Sequence, residues 1–232
     1  VERLRLQCLG SGLQFEPACE ELDAVDNALA RTVKFAFSPQ FGFLTCCPTN
    51  VGTGLRVSVM LHLPALVIAK QLDKVFEALS RINFTVRGFF GEGSQAMGDF
   101  YQISNQVTLG KAEEDMIQDM QKVVPQIIEY ERTVRQKLLE QSRERLEDSV
   151  WRSHGILRSA RCITTEETME RLSALRLGVN LGLLTGIPMR TINELFITTQ
   201  PGHLQKQEGR TLDAAERDIA RAALVRRQLA GN

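Results

Sequence analysis

The sequence predicts an α+β protein: an antiparallel sheet flanked by helices, followed by an all-helical C-terminal region. Three observations predict it. Short stretches of alternating apolar and polar residues recur as far as Thr108, each bounded by glycine, proline or polar residues. Helical patterns with apolar residues at three- and four-residue steps lie between them. From Ala112 onward the pattern is helical, with Gly155, Gly178, Gly182 and Gly186 as its punctuation. The expected division is residues 1–134 and residues 135–232, changing near Arg135 where nothing is rich in proline or glycine.

Composition excludes several classes. Apolar residues make up 43% and charged residues 24% of the 232, as in a globular protein. The formal net charge is zero, so nothing general favours nucleic acid or an anionic membrane. No apolar run is long enough to span a bilayer. Five cysteines, Cys8, Cys19, Cys46, Cys47 and Cys162, form an odd set without paired metal-ligand spacing. With no secretory pattern at the start, they point to free thiols in a cytoplasmic setting.

The elements follow in order. Leu4 to Leu9 alternates and reads as a strand carrying Arg5. Glu16 to Phe35 reads as a helix with Pro17 in its first turn and Leu22, Val25, Leu29 and Val33 on a buried face. Phe43-Leu44-Thr45 leads into Cys46-Cys47-Pro48-Thr49-Asn50-Val51-Gly52-Thr53-Gly54-Leu55-Arg56. Gly52 and Gly54 would let the backbone approach a ligand, and Arg56 supplies a positive fork suited to phosphate. A thiol at Cys47, beside that loop and Arg56, is in a setting that favours thiolate; the bland alternative is an inert cysteine.

Arg56 to Pro64 reads as the next strand, with His62 an ordinary strand or surface histidine. Leu66 to Ile82 reads as one helix burying Leu72, Val75, Phe76 and Leu79. Phe84 to Arg87 reads as a strand delivering Arg87 into a stretch where three glycines frame Glu92: Gly88-Phe89-Phe90-Gly91-Glu92-Gly93. Asp99 to Thr108 reads as a strand. The long helix that follows buries Ile117, Met120, Val124, Ile127 and Ile128, with a kink expected at Pro125.

The string from Leu44 to Arg56 resembles the signature of the phosphagen (ATP:guanidino) kinases, whose lobe has a glutamine-synthetase-like fold. The rest narrows the resemblance to bacterial protein arginine kinases of the McsB type. Met60 stands where metazoan members commonly carry histidine. Arg152-Ser153-His154-Gly155-Ile156-Leu157 and Leu172-Ser173-Ala174-Leu175-Arg176-Leu177-Gly178 resemble the C-terminal domain peculiar to the bacterial group.

The resemblance implies ATP with Mg2+. Nucleotide contacts would come from Arg5, Arg56, Val57, Ser58, Val59, Met60, Arg87, Gly88, Phe89, Phe90, Gly91 and Glu92. Cys47 and Glu92 would be the catalytic pair that positions a guanidinium. No carboxylate cluster marks a metal site, so the ion would be held by ATP oxygens and water. Phosphoryl transfer needs mainly positioning and charge neutralisation, which three arginines on three strands supply. The family's proton-accepting glutamate falls at Val1, with Glu2 following, so the chain is expected to be N-terminally truncated and inactive alone.

Arg217-Asp218-Ile219-Ala220-Arg221-Ala222 puts two arginines one helical turn apart beside a carboxylate. By composition this is a surface helix with an internal ion pair. By resemblance it is a phosphoarginine pocket formed by Arg217, Asp218, Arg221 and Ala222. The implied function is an allosterically regulated protein arginine kinase that marks proteins for Clp-type proteolysis in a stress response. Implied partners are proteins with exposed arginine, phosphoarginine, an activator protein, a Clp ATPase and a second copy in a homodimer. The rival readings are a non-catalytic module that binds nucleotide or phosphoarginine, and a kinase of a small guanidino substrate.

Overall fold

A computed structural model describes residues 4–89 and 97–230. The helices are α1 (Phe15–Ala30), α2 (Pro64–Ile68), α3 (Leu72–Arg81), α4 (Glu113–Ser159), α5 (Thr165–Asn180), α6 (Met189–Thr198), α7 (Pro201–Glu208) and α8 (Ala214–Ala230). The strands are β1 (Phe37–Ser38), β2 (Gly42–Phe43), β3 (Ser58–His62), β4 (Phe84–Arg87) and β5 (Phe100–Asn105). β1 and β2 form a small hairpin, and the larger sheet has the order β3-β5-β4. β4 and β5 are antiparallel, with Phe84 opposite Asn105 and Arg87 opposite Gln102. Bonds from Asn105 N to Val57 O and from Leu63 N to Asp99 O make β3 antiparallel to β5 as well, placing Met60 opposite Gln102. The expected α+β class, with helices flanking an antiparallel sheet and filling the C-terminal half, is the one found.

The chain forms two compact units. One holds residues 1–61, 72–87 and 102–129; the other holds 62–71, 88–101 and 130–232. In the first, the closed face of the sheet carries Leu61, Ile103 and Phe84, and the first turns of α4 bury Met116, Met120 and Val124. In the second, α4, α5, α6 and α8 enclose a core of Val150, Leu157, Met169, Leu172, Leu175, Ile192, Leu195, Phe196 and Val225. Gly178 is no punctuation mark here: a Cβ on it would sit 2.3 Å from Val150 Cγ1, so glycine permits close approach of α5 to α4. Glu131 on α4 caps α2, its carboxylate oxygens accepting from Ala65 N and Leu66 N at 3.0 Å each. Arg135 pairs with Glu131 at 2.7 Å and donates to His62 O.

Several expected elements differ. Leu4 to Leu9 is not a strand, because it pairs with no strand among the described residues, and an isolated alternating segment has nowhere to place its main-chain bonds. α1 stops at Ala30, so Val33 lies outside it, and Val25 is exposed; its half-buried face runs through Phe15, Ala18, Cys19, Leu22, Asp26 and Leu29. The single helix expected over Leu66 to Ile82 is two, broken where Lys70 takes φ 55° and Gln71 N turns back to Leu66 O. α3 does place Leu72, Val75 and Phe76 half-buried and Leu79 fully buried. The 47-residue α4 passes Pro125, which is exposed, and breaks at Ser142 instead, at φ −147° and ψ 34°. The strand expected over Asp99 to Thr108 is confined to Phe100–Asn105.

Candidate functional site

One face of the larger sheet is polar, exposed along β3 at Ser58 and Met60 and half-buried at Gln102 and Arg87. Arg56, Ser58 and Met60 alternate outward with Val57, Val59 and Leu61 on the other side, as a two-residue period requires. Met60, Gln102 and Arg87 lie across the three strands in one row. Gln102 Nε2 donates to Ser58 Oγ at 3.0 Å, which ties β5 to β3 on this face. Two arginines thus share a surface with hydroxyl and amide groups, a setting suited to a polyanion. Arg5 is exposed on the irregular N-terminal segment. Gly88 and Phe89 follow β4, and Phe89 packs edge-on against Phe100 with ring centroids 5.6 Å apart. Phe90, Gly91, Glu92, Val1 and Glu2 lie outside the described residues.

The loop before Arg56 is built on Thr108. Its hydroxyl reaches the carbonyls of Thr49 at 3.0 Å and Val51 at 2.8 Å, and its own carbonyl accepts from Thr53 N. Gly52, at φ 113°, would place a Cβ 2.3 Å from Thr108 O. Its glycine is therefore required by the chain's own packing, not by a ligand. Gly54, at φ 69°, would bring a Cβ no closer than 4.0 Å to Asn50 O, so only its left-handed backbone favours glycine. Cys47 is exposed at the start of a three-residue 3-10 turn, Pro48–Asn50, and its carbonyl accepts from Thr45 Oγ1 at 2.7 Å and Asn50 N at 2.9 Å. Sequence reasoning missed Thr108 and Gln102. The alternation of β5 against β4 was the signal available for Gln102.

The arginine pair of α8 is divided. Arg221 is buried, and its guanidinium donates to Thr199 O at 2.9 Å, Ile163 O at 2.8 Å and Asp218 Oδ1 at 2.5 Å. Arg217 and Asp218 are half-buried, and Arg217 donates to Leu212 O at 2.9 Å. Ala222 belongs to the core.

A further cluster joins β3, the turn before β5 and α5. His62, read from sequence as a surface or strand residue, is buried. Its Nε2 lies 2.8 Å from Ser173 Oγ, and that hydroxyl donates to Asp99 Oδ2. Ser173 has one proton, so His62 Nε2 is the donor to Ser173, and the Nδ1 lone pair is buried without a partner among the described residues. Burial first, then the charges of Arg176 and Arg135, hold His62 well below its ordinary value. Burial raises Asp99 above its ordinary value, with the Ser173 bond opposing the shift. This is not a hydrolase triad: the aspartate holds the serine, not the histidine, and the serine is buried. Among the described residues, no group of three or more His, Cys, Asp or Glu could hold a metal ion. None of the described helices is long and apolar enough to cross a membrane.

Residues 2–134 match the family of the ATP:guanido phosphotransferase C-terminal catalytic domain. The chain belongs to that family. Residues 143–232 match the protein-arginine kinase McsB C-terminal domain. The chain is 50% identical over 228 residues to a protein-arginine kinase of Halalkalibacterium halodurans, covering 98% of the chain and 64% of that relative. It is 47% identical to the Bacillus subtilis protein-arginine kinase, covering 98% of the chain and 63% of that relative. The chain therefore spans a little under two thirds of the length of these relatives. Among solved structures, lombricine kinase aligns over 52% of this chain and 32% of its own, at 30% identity and TM-score 0.43.

Proposed function

We propose that this chain is the nucleotide-binding and C-terminal helical part of a protein arginine kinase, which transfers the γ-phosphoryl group of ATP to arginine side chains of proteins. The observation that carries the reading is the polar sheet face on which Arg56, Ser58, Met60, Gln102 and Arg87 lie together. Arg56 and Arg87 would grip phosphate oxygens bidentately, with Arg5 as a third contact. Met60, Gly88 and Phe89 would flank the nucleotide, with only the main chain of Val57 and Val59 facing it, joined by Phe90, Gly91 and Glu92. Mg2+ would neutralise phosphate charge while held by the nucleotide and water. Cys47 and Glu92 would orient the guanidinium. Phosphoarginine would bind at α8, with Arg217 meeting the phosphoryl group, Asp218 the guanidinium, and buried Arg221 and Ala222 shaping the floor. Regulation through that pocket, partnership with an activator and a Clp ATPase, dimerisation and cytoplasmic work in a stress response complete the reading.

The test uses the protein as its source makes it, incubated with ATP, Mg2+ and an arginine-rich protein such as a histone. The expected product is acid-labile phosphoarginine on the protein, reduced in Cys47→Ser with folding intact. Phosphorylation of free arginine alone would favour a small-guanidine kinase. ATP or phosphoarginine binding without any transfer would leave a binding module and overturn the catalytic reading.

A further inference from the structure

Ser104 lies on β5, the middle strand of the larger sheet, between β3 and β4. On β4 its partner is Thr85. The register that sets Met60 opposite Gln102 sets Ser58 opposite Ser104. Alternation turns Ser104 to the polar face with Gln102, Ser58 and Thr85, while Ile103 and Phe84 face the core. All of these residues, with Arg56 and Arg87, belong to one compact unit. Ser104 is nonetheless fully buried, and its hydroxyl has no partner among the described residues. A buried hydroxyl without a partner costs stability, so its presence at the centre of a polar face calls for a cause. Its side chain is shorter than those of its neighbours Gln102 and Arg87, and the Gln102 amide leans across to Ser58, the residue opposite Ser104. The hydroxyl thus forms the floor of the face.

The two arginines stand on either side of that floor. Arg87, opposite Gln102 on β4, is one strand across from Ser104 and one outward step along in one direction. Arg56, two residues before Ser58, is one strand across on the other side and one step along in the opposite direction. Such a step is about 4.8 Å sideways and about 6.8 Å along the strand. Ser104 therefore lies midway on the diagonal between them. A phosphate chain gripped by both guanidinium groups would run over it.

We infer that Ser104 is a phosphate-contact residue, its hydroxyl donating to an oxygen of the nucleotide's phosphate chain between Arg56 and Arg87; this rests on the nucleotide-binding reading above. Gln102 would give up Ser58 and turn its amide to the same chain, which opens the floor. A hydroxyl donates more strongly to a charged oxygen than to a neutral one. The contact also breaks no bond of Ser104 to another described residue, so little offsets its gain.

Ser104→Ala removes the hydroxyl alone, in the protein as its source makes it. Titration calorimetry with ATP and Mg2+, and separately with inorganic tripolyphosphate, should show affinity about tenfold weaker for both. The urea midpoint without nucleotide should hold or rise, because a buried hydroxyl lacking a partner is taken away. A lowered midpoint would make Ser104 a structural group and overturn the inference, as would unchanged affinity. Weaker binding of ATP with tripolyphosphate unaffected would put the hydroxyl on the sugar or base and overturn the phosphate assignment. Unaltered protein that takes ATP but no tripolyphosphate would overturn it too. Failure of the nucleotide-binding reading itself would show differently, as an unaltered protein that binds neither probe.

Discussion

Arginine is used in opposite ways in the two units. On the polar sheet face, Arg56 is exposed and Arg87 half-buried among Ser58, Met60 and Gln102. In the helical unit, Arg221 is buried and committed to the carbonyls of Thr199 and Ile163 and to Asp218. The first arrangement keeps a cation within reach of an incoming anion. The second spends the cation on the chain itself, joining α8 to the end of α6 and to the segment before α5. A guanidinium is suited to both roles because its planar fork matches phosphate oxygens and main-chain carbonyls equally well. What differs is the element beneath it: a strand turns alternate side chains outward, whereas the inner face of a packed helix has no outward direction.

The comparison predicts a separation of effects, and Arg56→Ala should give the largest. Loss of one phosphate-binding donor should lower kcat/KM for ATP by about 10²- to 10³-fold. Urea denaturation should show stability within about 1 kcal/mol of the parent, as for a surface position. A large loss of stability would place Arg56 with the structural arginines.

Arg221→Ala should do the reverse. It removes three bonds at a buried site and should cost about 3 kcal/mol of unfolding free energy, read from the urea midpoint. Residual activity per folded molecule should change far less than in Arg56→Ala. If stability is untouched and only phosphoarginine binding falls, Arg221 is a ligand contact and the contrast collapses.

The smallest effect concerns pH. His62 titrates in the folded protein well below its ordinary 6.5, so at mildly acidic pH the unfolded chain binds more protons than the native one. Its contribution to stability is present above 6.5 and is lost as pH falls towards the folded value. Asp99 has the opposite sign, because its raised value lets the native state take up a proton above the ordinary 3.8 and so offsets part of the loss at the acid end. The melting temperature should therefore decline between pH 7 and pH 5, and His62→Gln should flatten that decline. An equal slope in both proteins would mean that other groups govern it.

Much of the candidate site was legible because its residues follow strand periodicity. The alternation of Arg56, Ser58 and Met60 is a local property, and Arg87 at the end of an apolar strand is another. The α8 hexapeptide was legible as a string, but the division of labour between Arg217 and Arg221 was not, since the carbonyls that bury Arg221 come from Ile163 and Thr199. Gly52 was read as room for a ligand, whereas the backbone it makes room for is that of Thr108, far away in sequence. His62, Asp99 and Ser173 left no local pattern at all.

Sequence by itself therefore determined the class of fold, the helical C-terminal half, the strand bearing Arg87, a strand that begins at Ser58 just after Arg56, and membership in a guanidino phosphotransferase family. Each of these depends on periodicity or on a contiguous string. Tertiary structure alone decided where α4 breaks, that residues 66–82 form two helices, and that Leu4 to Leu9 is no strand. It also decided that segments 62–71 and 88–101 belong with the C-terminal helices. The physical reason is common to these cases. A helix interruption, a strand and a buried hydrogen-bonding group are each stabilised by partners distant in sequence, and no local pattern records which partner will arrive.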